Sequence, residues 1–115
     1  MVAVNRTHVS KYRAMWVFVM FDLPVETATE RKRSAKFRHD LLIEGFVMLQ
    51  YSVYARYCDT QDKLRAVKKY IRSRIPPDGQ VRILGVTDTQ FGNSEVYFGK
   101  TRKPPECPPE QLVLF

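Results

Sequence analysis

The chain carries seven consecutive apolar residues, Met15-Trp-Val-Phe-Val-Met-Phe21, which are followed at once by Asp22-Leu23-Pro24. A short apolar run predicts a buried strand, and proline is expected to end that strand because it has no backbone N–H to donate. Successive side chains of a strand point to opposite faces, so Trp16, Phe18 and Met20 share a face with Asp22. Both faces of the predicted strand are therefore apolar, and both need cover.

A helix is predicted directly after this strand. The segment Thr27-Ala-Thr-Glu30 matches a capping box, in which a hydroxyl and a carboxylate bond the free amides of a helix start. The helix is expected to run from about residue 28 to 44 and to end at Gly45. Its inner face is predicted, at helical spacing, to consist of Ser34, Phe37, Leu41 and Leu42.

The strand-like run from Phe46 to Cys58 is interrupted by Gln50-Tyr51-Ser52, which predicts two short strands joined by a bend or tight hairpin. Asp59 or Thr60 is then expected to cap a second helix. The inner face of that helix is predicted at Leu64, Val67 and Ile71. The segment Pro76-Pro-Asp-Gly79 predicts the turn that ends it.

Two further strands complete the predicted order. Alternation over residues 81–85 predicts one strand, and Glu95 to Gly99 predicts another after a turn region at Asp88 to Ser94. The order strand, helix, strand, strand, helix, strand is the ferredoxin-like split βαβ arrangement of the α+β class, in which two helices cover one face of an antiparallel sheet. The other face would then be covered by a second copy of the chain, so a homodimer is expected.

The chain divides into four segments by composition and pattern. Residues 1–14 are expected to form a flexible basic arm, residues 15–99 the ferredoxin-like domain, and residues 100–110 a proline-rich spacer. The apolar residues 111–115 are predicted to form an extra C-terminal strand. The spacer of eleven residues reaches ~36 Å when fully extended, so that strand is expected to join the sheet edge of the partner subunit.

Composition narrows the class of partner. A chain of 115 residues with a net charge of +7 favours an acidic partner, and nucleic acid is the most common one. No apolar stretch approaches the ~20 residues of a spanning helix, so no membrane association and a cytoplasmic location are expected. Cys58 and Cys107 lie far apart, which argues against a zinc site or disulfide, and the isolated His8 and His39 provide no catalytic triad.

The carboxylate of Asp22, at the mouth of a strand in a basic chain, is a candidate ligand for a divalent cation. Magnesium commonly takes one or two carboxylates together with water and substrate phosphate. No second acidic residue has the spacing of a further ligand on the same strand, so a twofold axis that brings Asp22 against its copy would have to complete the site. The alternative interpretation is a structural aspartate that caps or salt-bridges at a strand end.

The chain combines Phe21-Asp22-Leu23-Pro24 after an apolar strand with Gly45-Phe-Val-Met-Leu-Gln-Tyr-Ser-Val-Tyr54 at the predicted hairpin. This combination resembles the small CRISPR-associated adaptation endonuclease family, over residues 15–115. The resemblance implies a ferredoxin-like homodimer that bridges copies of the CRISPR integrase subunit and takes part in spacer acquisition. It also implies a catalytic Asp22 that, from both subunits, holds Mg²⁺, with Mn²⁺ as a possible substitute, for endonuclease action on RNA or duplex DNA.

Nucleic-acid contacts are predicted at four basic residues of the first helix, Arg31, Arg33, Lys36 and Arg38. They would neutralise backbone phosphates of duplex DNA across the dimer, whereas a solvated helix face is the alternative interpretation of each.

A different function for the whole chain is a single-stranded RNA-binding or toxin-like ribonuclease domain of ferredoxin-like fold, with bases stacked on Tyr51, Tyr54 and Tyr57. The basic-aromatic signature of RNA-recognition strands is absent. Packing of these tyrosines in a core is therefore favoured.

Overall fold

The computed structural model describes residues 14–108, which form a mixed α+β domain. Its helices and strands are β1 Met15–Asp22, α1 Ala28–Ile43, β2 Val47–Gln50, β3 Val53–Cys58, α2 Gln61–Arg72, β4 Gln80–Thr87, α3 Asp88–Gly92, β5 Val96–Phe98 and β6 Thr101–Lys103. Within residues 14–108 every helix is too short or too polar to cross a membrane.

Four strands form one antiparallel sheet in the order β2-β3-β1-β4. The central strand β1 pairs with β4 along its whole length, from Met15 opposite Thr87 to Asp22 opposite Gln80. Strand β1 pairs on its other side with β3. This order, with one helix after β1 and one after β3, is the ferredoxin-like arrangement and confirms the predicted fold class.

The helices begin where the sequence predicts. The hydroxyl of Thr27 accepts a hydrogen bond from the backbone N–H of Glu30, whose carboxylate accepts one from the N–H of Thr27. Thr60 caps α2 by accepting from the N–H of Lys63. Each cap satisfies amides that have no partner in the first helical turn.

One face of the sheet, the helix-covered face, packs against α1 and α2. Val17, Val19 and Phe21 of β1 contribute to a buried core that also contains the predicted inner residues Phe37, Leu41, Leu64, Val67 and Ile71. The prediction for Leu42 was wrong, because that side chain is 53% exposed. Leu42 follows Leu41 by one residue and is therefore turned about 100° away from it around the helix axis.

The opposite face, the second face, carries Trp16, Phe18, Met20 and Asp22 of β1. The turn region predicted after β4 contains a short helix instead, α3, and its Phe91 stacks on Trp16 with ring centroids 4.1 Å apart. The indole N–H of Trp16 also donates to Asp88 at 2.8 Å. The chain therefore covers the Trp16 end of the second face itself.

The predicted tyrosine packing is confirmed for Tyr54, which is buried against the helix-covered face, whereas Tyr57 is half-buried. The prediction of core packing was wrong for Tyr51, which is 79% exposed in the turn between β2 and β3. That turn contains Ser52 with a positive φ of 62°. It forms the tight hairpin that the sequence predicts.

Strand β5 lies in the predicted segment but pairs with β6 in a separate two-stranded hairpin, and β6 occupies the first part of the predicted spacer. At the other end, Ala14 of the predicted arm is buried, and its carbonyl accepts a hydrogen bond from the N–H of Asp88. The rest of the arm and the predicted strand at 111–115 lie outside the described residues.

Candidate functional site

Asp22 is the last residue of β1, and its side chain is exposed on the second face. Next to it is an open cavity of about 310 Å³, lined by Met20, Phe21, Asp22, Gln80 and Arg82. Gln80 is the cross-strand partner of Asp22, and Arg82 is the partner of Met20. The cavity is thus built mainly from alternate residues of two adjacent strands.

The backbone at the end of β1 is held from both sides. The N–H of Phe21 donates to the carbonyl of Ser52 at 3.1 Å. Gly79 has a φ of 94°, and a Cβ at this position would lie 2.6 Å from the carbonyl oxygen of Asp22 and 2.9 Å from Cδ2 of Leu23. Only glycine permits this approach without displacing the strand end, so Gly79 helps to fix the position of Asp22.

The carboxylate of Asp22 has no hydrogen bond or ion pair with any of residues 14–108, so a purely structural role as a salt-bridged residue finds no support there. Those residues also contain no group of three histidine, cysteine or acidic side chains that would hold a metal ion. The described part of one copy therefore offers an unpaired, exposed carboxylate that fits a hard cation such as Mg²⁺ as part of a site but does not complete one.

The four predicted nucleic-acid residues lie on α1, which packs against the other face of the sheet. Arg31 and Arg38 are two turns apart on one side of the helix. A guanidinium nitrogen of Arg31 donates to the carbonyls of Val25 and Glu26, at 3.2 and 2.9 Å. The guanidinium of Arg38 lies over the rings of Phe21 and Tyr51, 5.7 and 5.6 Å from their centroids.

Arg33 and Lys36 lie on a different side of α1. Arg33 is 3.6 Å from the carboxylate of Asp78, and Lys36 forms a 3.0 Å ion pair with Asp40 one turn later. The side chains of Arg33 and Lys36 are 47% and 72% exposed. The four residues thus form two separate pairs, and Arg38 lies over Phe21 near the end of β1.

Arg82 is a cavity residue that the sequence did not identify as part of the site. It is exposed on β4 and shares the second face with Asp22. Alternation along β4 puts the side chain of Arg82 on the face of the sheet away from Val81 and Ile83. Its nearness to Asp22, however, depends on the pairing of β1 with β4. The ferredoxin-like strand order was the available signal, because it makes these two strands neighbours.

The cysteines do not contribute to this site. Cys58 is buried at the far end of β3, and burial raises the pKa of its thiol, while the nearby Arg56 acts in the opposite direction. Cys107 is exposed, and both cysteines are free thiols. Cys58 therefore lacks both the low pKa and the accessible position that a nucleophilic thiol needs.

The strand order and the two helices on one face define a ferredoxin-like α+β domain with an exposed carboxylate at the end of its central strand. The family model for CRISPR associated protein Cas2 matches residues 15–94. The chain therefore belongs to the Cas2 family.

Curated relatives agree with this assignment. One from Parvibaculum lavamentivorans, named CRISPR-associated endoribonuclease Cas2, is 48% identical over 101 residues, which cover 88% of this chain and 100% of the relative. A protein of the same name from Flavobacterium psychrophilum is 40% identical over 109 residues, covering 95% of each chain. A third from Paracidovorax avenae is 41% identical and covers 90% of this chain and 96% of the relative.

Proposed function

We propose that two copies of this chain form a metal-dependent endonuclease of the CRISPR spacer-acquisition machinery, with Asp22 of each copy in one shared site. The observation that carries the proposal is the free carboxylate of Asp22 beside an open cavity on the second face. Support also comes from the relatives, which are named endoribonucleases. RNA is accordingly the first substrate to test, and duplex DNA the second.

The second face supplies the reason for a homodimer. Leu84 is 48% exposed there, and Phe18 and Met20 are only partly buried within the described chain. A second copy packed against this face would remove these apolar side chains from water. An isologous contact around a twofold axis would also bring each Asp22 to the same axis, so that one sequence position supplies two carboxylates.

Both Asp22 carboxylates would hold Mg²⁺, or Mn²⁺ in its place, and the ion when bound would stabilise negative charge on the phosphate that is cleaved. Among residues 14–108, the rest of the cavity lining offers no general base, since it consists of methionine, phenylalanine, glutamine and arginine. Slow cleavage is therefore expected, because a positioned base commonly contributes a factor of ~10²–10⁴.

The test is cleavage of labelled RNA and duplex DNA by wild-type protein and by Asp22→Asn, each with Mg²⁺ and with chelator. Asp62→Asn is the matched control, since Asp62 is an exposed aspartate on α2 whose partner is Arg65. We expect Asp22→Asn to lose the metal-dependent cleavage while it keeps its fold and assembly, and Asp62→Asn to cleave like the wild type. Equal cleavage by both variants would contradict the proposal.

A second candidate function is a duplex-DNA scaffold between integrase subunits, which the exposed side chains of Arg33 and Lys36 and the net charge of +7 favour. Binding would then weaken steeply with salt, because phosphate contacts release counterions. Replacing both residues with alanine should lower the salt dependence of duplex affinity. An unchanged slope would count against these two contacts.

Residues 111–115, which lie outside the described residues, are proposed to add a strand to the partner subunit. Their deletion is expected to weaken self-association or binding of the integrase subunit. Size-exclusion and pull-down measurements on the full and shortened chains test this expectation. Identical behaviour of the two chains would contradict it.

A further inference from the structure

Arg82 has an unusual position in the sheet. Among the described strand residues whose side chains share the second face, it is the one lysine or arginine. It also lines the cavity next to Asp22, and these two residues are the charged groups among the described residues of that lining. An isolated cation on an otherwise largely apolar face, beside a free carboxylate, requires an explanation.

We propose that Arg82 is a phosphate-binding residue of the Asp22 site and contacts the nucleic-acid backbone at the cavity. The inference rests on the proposed function, because it assumes that the cavity receives a nucleic-acid phosphate. Arg82 belongs neither to the sequence motifs around Asp22 nor to the predicted basic residues of α1. The four basic residues of α1 lie on the helix-covered side of the sheet, whereas Arg82 is on the same side as the Asp22 carboxylate.

Three features of Arg82 suit this role. Its guanidinium forms no ion pair or hydrogen bond with residues 14–108, so its donors remain available to a ligand. Its backbone is fixed within the ladder between β1 and β4. A guanidinium also presents two parallel N–H groups to a phosphate, a geometry that lysine does not reproduce.

The competing explanation is that Arg82 only neutralises Asp22. In the register of β1 and β4, Arg82 is two residues from Gln80, the direct partner of Asp22. Such diagonal positions are about 7–8 Å apart, so a long arginine side chain is within electrostatic range of the carboxylate. The two roles differ in one respect: a neutralising Arg82 becomes dispensable once Asp22 carries no charge, whereas a phosphate-binding Arg82 does not.

The experiment is therefore carried out in the Asp22→Asn background, with chelator present. Affinity for a short fluorescent RNA is measured at several salt concentrations for Asp22→Asn alone and combined with Arg82→Ala or Arg82→Lys. Asp22→Asn combined with Arg65→Ala is the control, because it removes an equal charge from the exposed face of α2. Sedimentation velocity on each protein reports whether the assembly is unchanged.

We expect Arg82→Ala to weaken RNA binding roughly tenfold or more, as for loss of a charged hydrogen bond, and to lower the salt slope by about one. Arg82→Lys should retain the salt slope but recover only part of the RNA affinity. Arg65→Ala should change the affinity and the salt slope much less than Arg82→Ala does. Equal effects of Arg82→Ala and Arg65→Ala, or no effect of either, would overturn the inference. A loss of assembly in Arg82→Ala alone would also overturn it and assign the residue to the interface.

This design separates the inference from the proposed function. Binding in chelator requires neither metal nor cleavage, so it tests Arg82 even if the wild-type protein cuts no nucleic acid. If the wild-type protein cleaves nothing but Arg82→Ala still weakens RNA binding, the proposed nuclease is overturned and the phosphate contact stands. If metal-dependent cleavage is lost in Asp22→Asn but Arg82→Ala leaves RNA binding unchanged, the nuclease proposal stands and the phosphate contact is overturned.

Discussion

The two faces of the sheet are built from the same strands but are closed to different extents. The helix-covered face buries Val17, Val19 and Phe21 of β1 under two helices. On the second face Phe91 covers Trp16 at one end, whereas at the other end Asp22 is exposed beside a cavity. Alternate residues of β1 therefore serve stability on one side and provide the candidate site on the other.

This difference shows what a strand end offers to a candidate site. A carboxylate that is to hold a cation must remain accessible, yet its backbone must not move. The extended ladder between β1 and β4, the hydrogen bond to Ser52 and the close approach of Gly79 fix the backbone of Asp22 without covering its side chain. Rigid support with an exposed functional group is what a precise site requires.

The largest stability effect is expected on the helix-covered face. Phe37 is 1% exposed and packs edge-on against Phe21. Phe37→Ala should lower the free energy of unfolding by about 4 kcal/mol, because it removes buried apolar surface and leaves a cavity. Phe98→Ala, on the exposed β5–β6 hairpin, is the matched control and should cost less than about 0.5 kcal/mol. Urea unfolding at one protein concentration measures both, and similar losses would contradict the assignment of the core.

The covered end of the second face should show the next largest effect. Phe91→Ala is expected to lower the free energy of unfolding by about 3 kcal/mol, at the low end for a buried phenylalanine, because a helix of only five residues should shift to fill part of the space. Its distinctive consequence is exposure of Trp16, the one tryptophan of the chain. The fluorescence emission of the folded protein should therefore shift to longer wavelength. An unshifted spectrum would mean that Trp16 is covered by something other than Phe91.

The support for Asp22 is tested by two glycines that both have positive φ. Gly79→Ala should cost about 2–3 kcal/mol, because it adds a clash with the Asp22 carbonyl to the usual cost of alanine at positive φ. A Cβ at Gly99 would meet nothing within 4 Å, so Gly99→Ala should cost only about 1 kcal/mol. The NMR chemical shifts of the Asp22 and Leu23 backbone amides should change in Gly79→Ala but not in Gly99→Ala. Equal costs would show that the close approach at Gly79 is unimportant.

The smallest effect on folding is expected at the uncovered part of the second face. Leu84→Ser should change the free energy of unfolding of the subunit by less than about 1 kcal/mol, because half of this side chain is already in water. Self-association should nevertheless weaken if a second copy covers this face. Sedimentation equilibrium measures the association constant, and an unchanged value would place the interface elsewhere.

Local patterns in the sequence were sufficient for much of the helix-covered face. The capping box at Thr27, the strand at Met15–Phe21 and the spacing of Leu64, Val67 and Ile71 depend on neighbours within a few residues. The error at Leu42 arose because this leucine was grouped with its neighbour Leu41 as apolar, although one residue along a helix turns the side chain about 100° away from the inner face.

The second face depended on contacts between distant residues. Helix α3 has five residues, too few for a helical period to be recognised, and its burial depends on Trp16 more than seventy positions earlier. The link between Arg82 and Asp22 likewise exists only through strand pairing. The position of Asp22 at the end of β1 could be predicted from the sequence, because an isolated charge after an apolar strand is a local feature, and its role as a metal ligand stays a prediction.

The most direct test of a site shared between two Asp22 carboxylates is the stoichiometry of metal binding. Equilibrium titration with Mn²⁺ is performed on wild-type protein and on Asp22→Asn, with the assembly state of each sample measured by sedimentation. We expect one tightly bound ion for every two wild-type chains, and none in Asp22→Asn of the same assembly state. One ion per chain, or the same stoichiometry in both proteins, would contradict a metal site built from paired Asp22 residues on the second face.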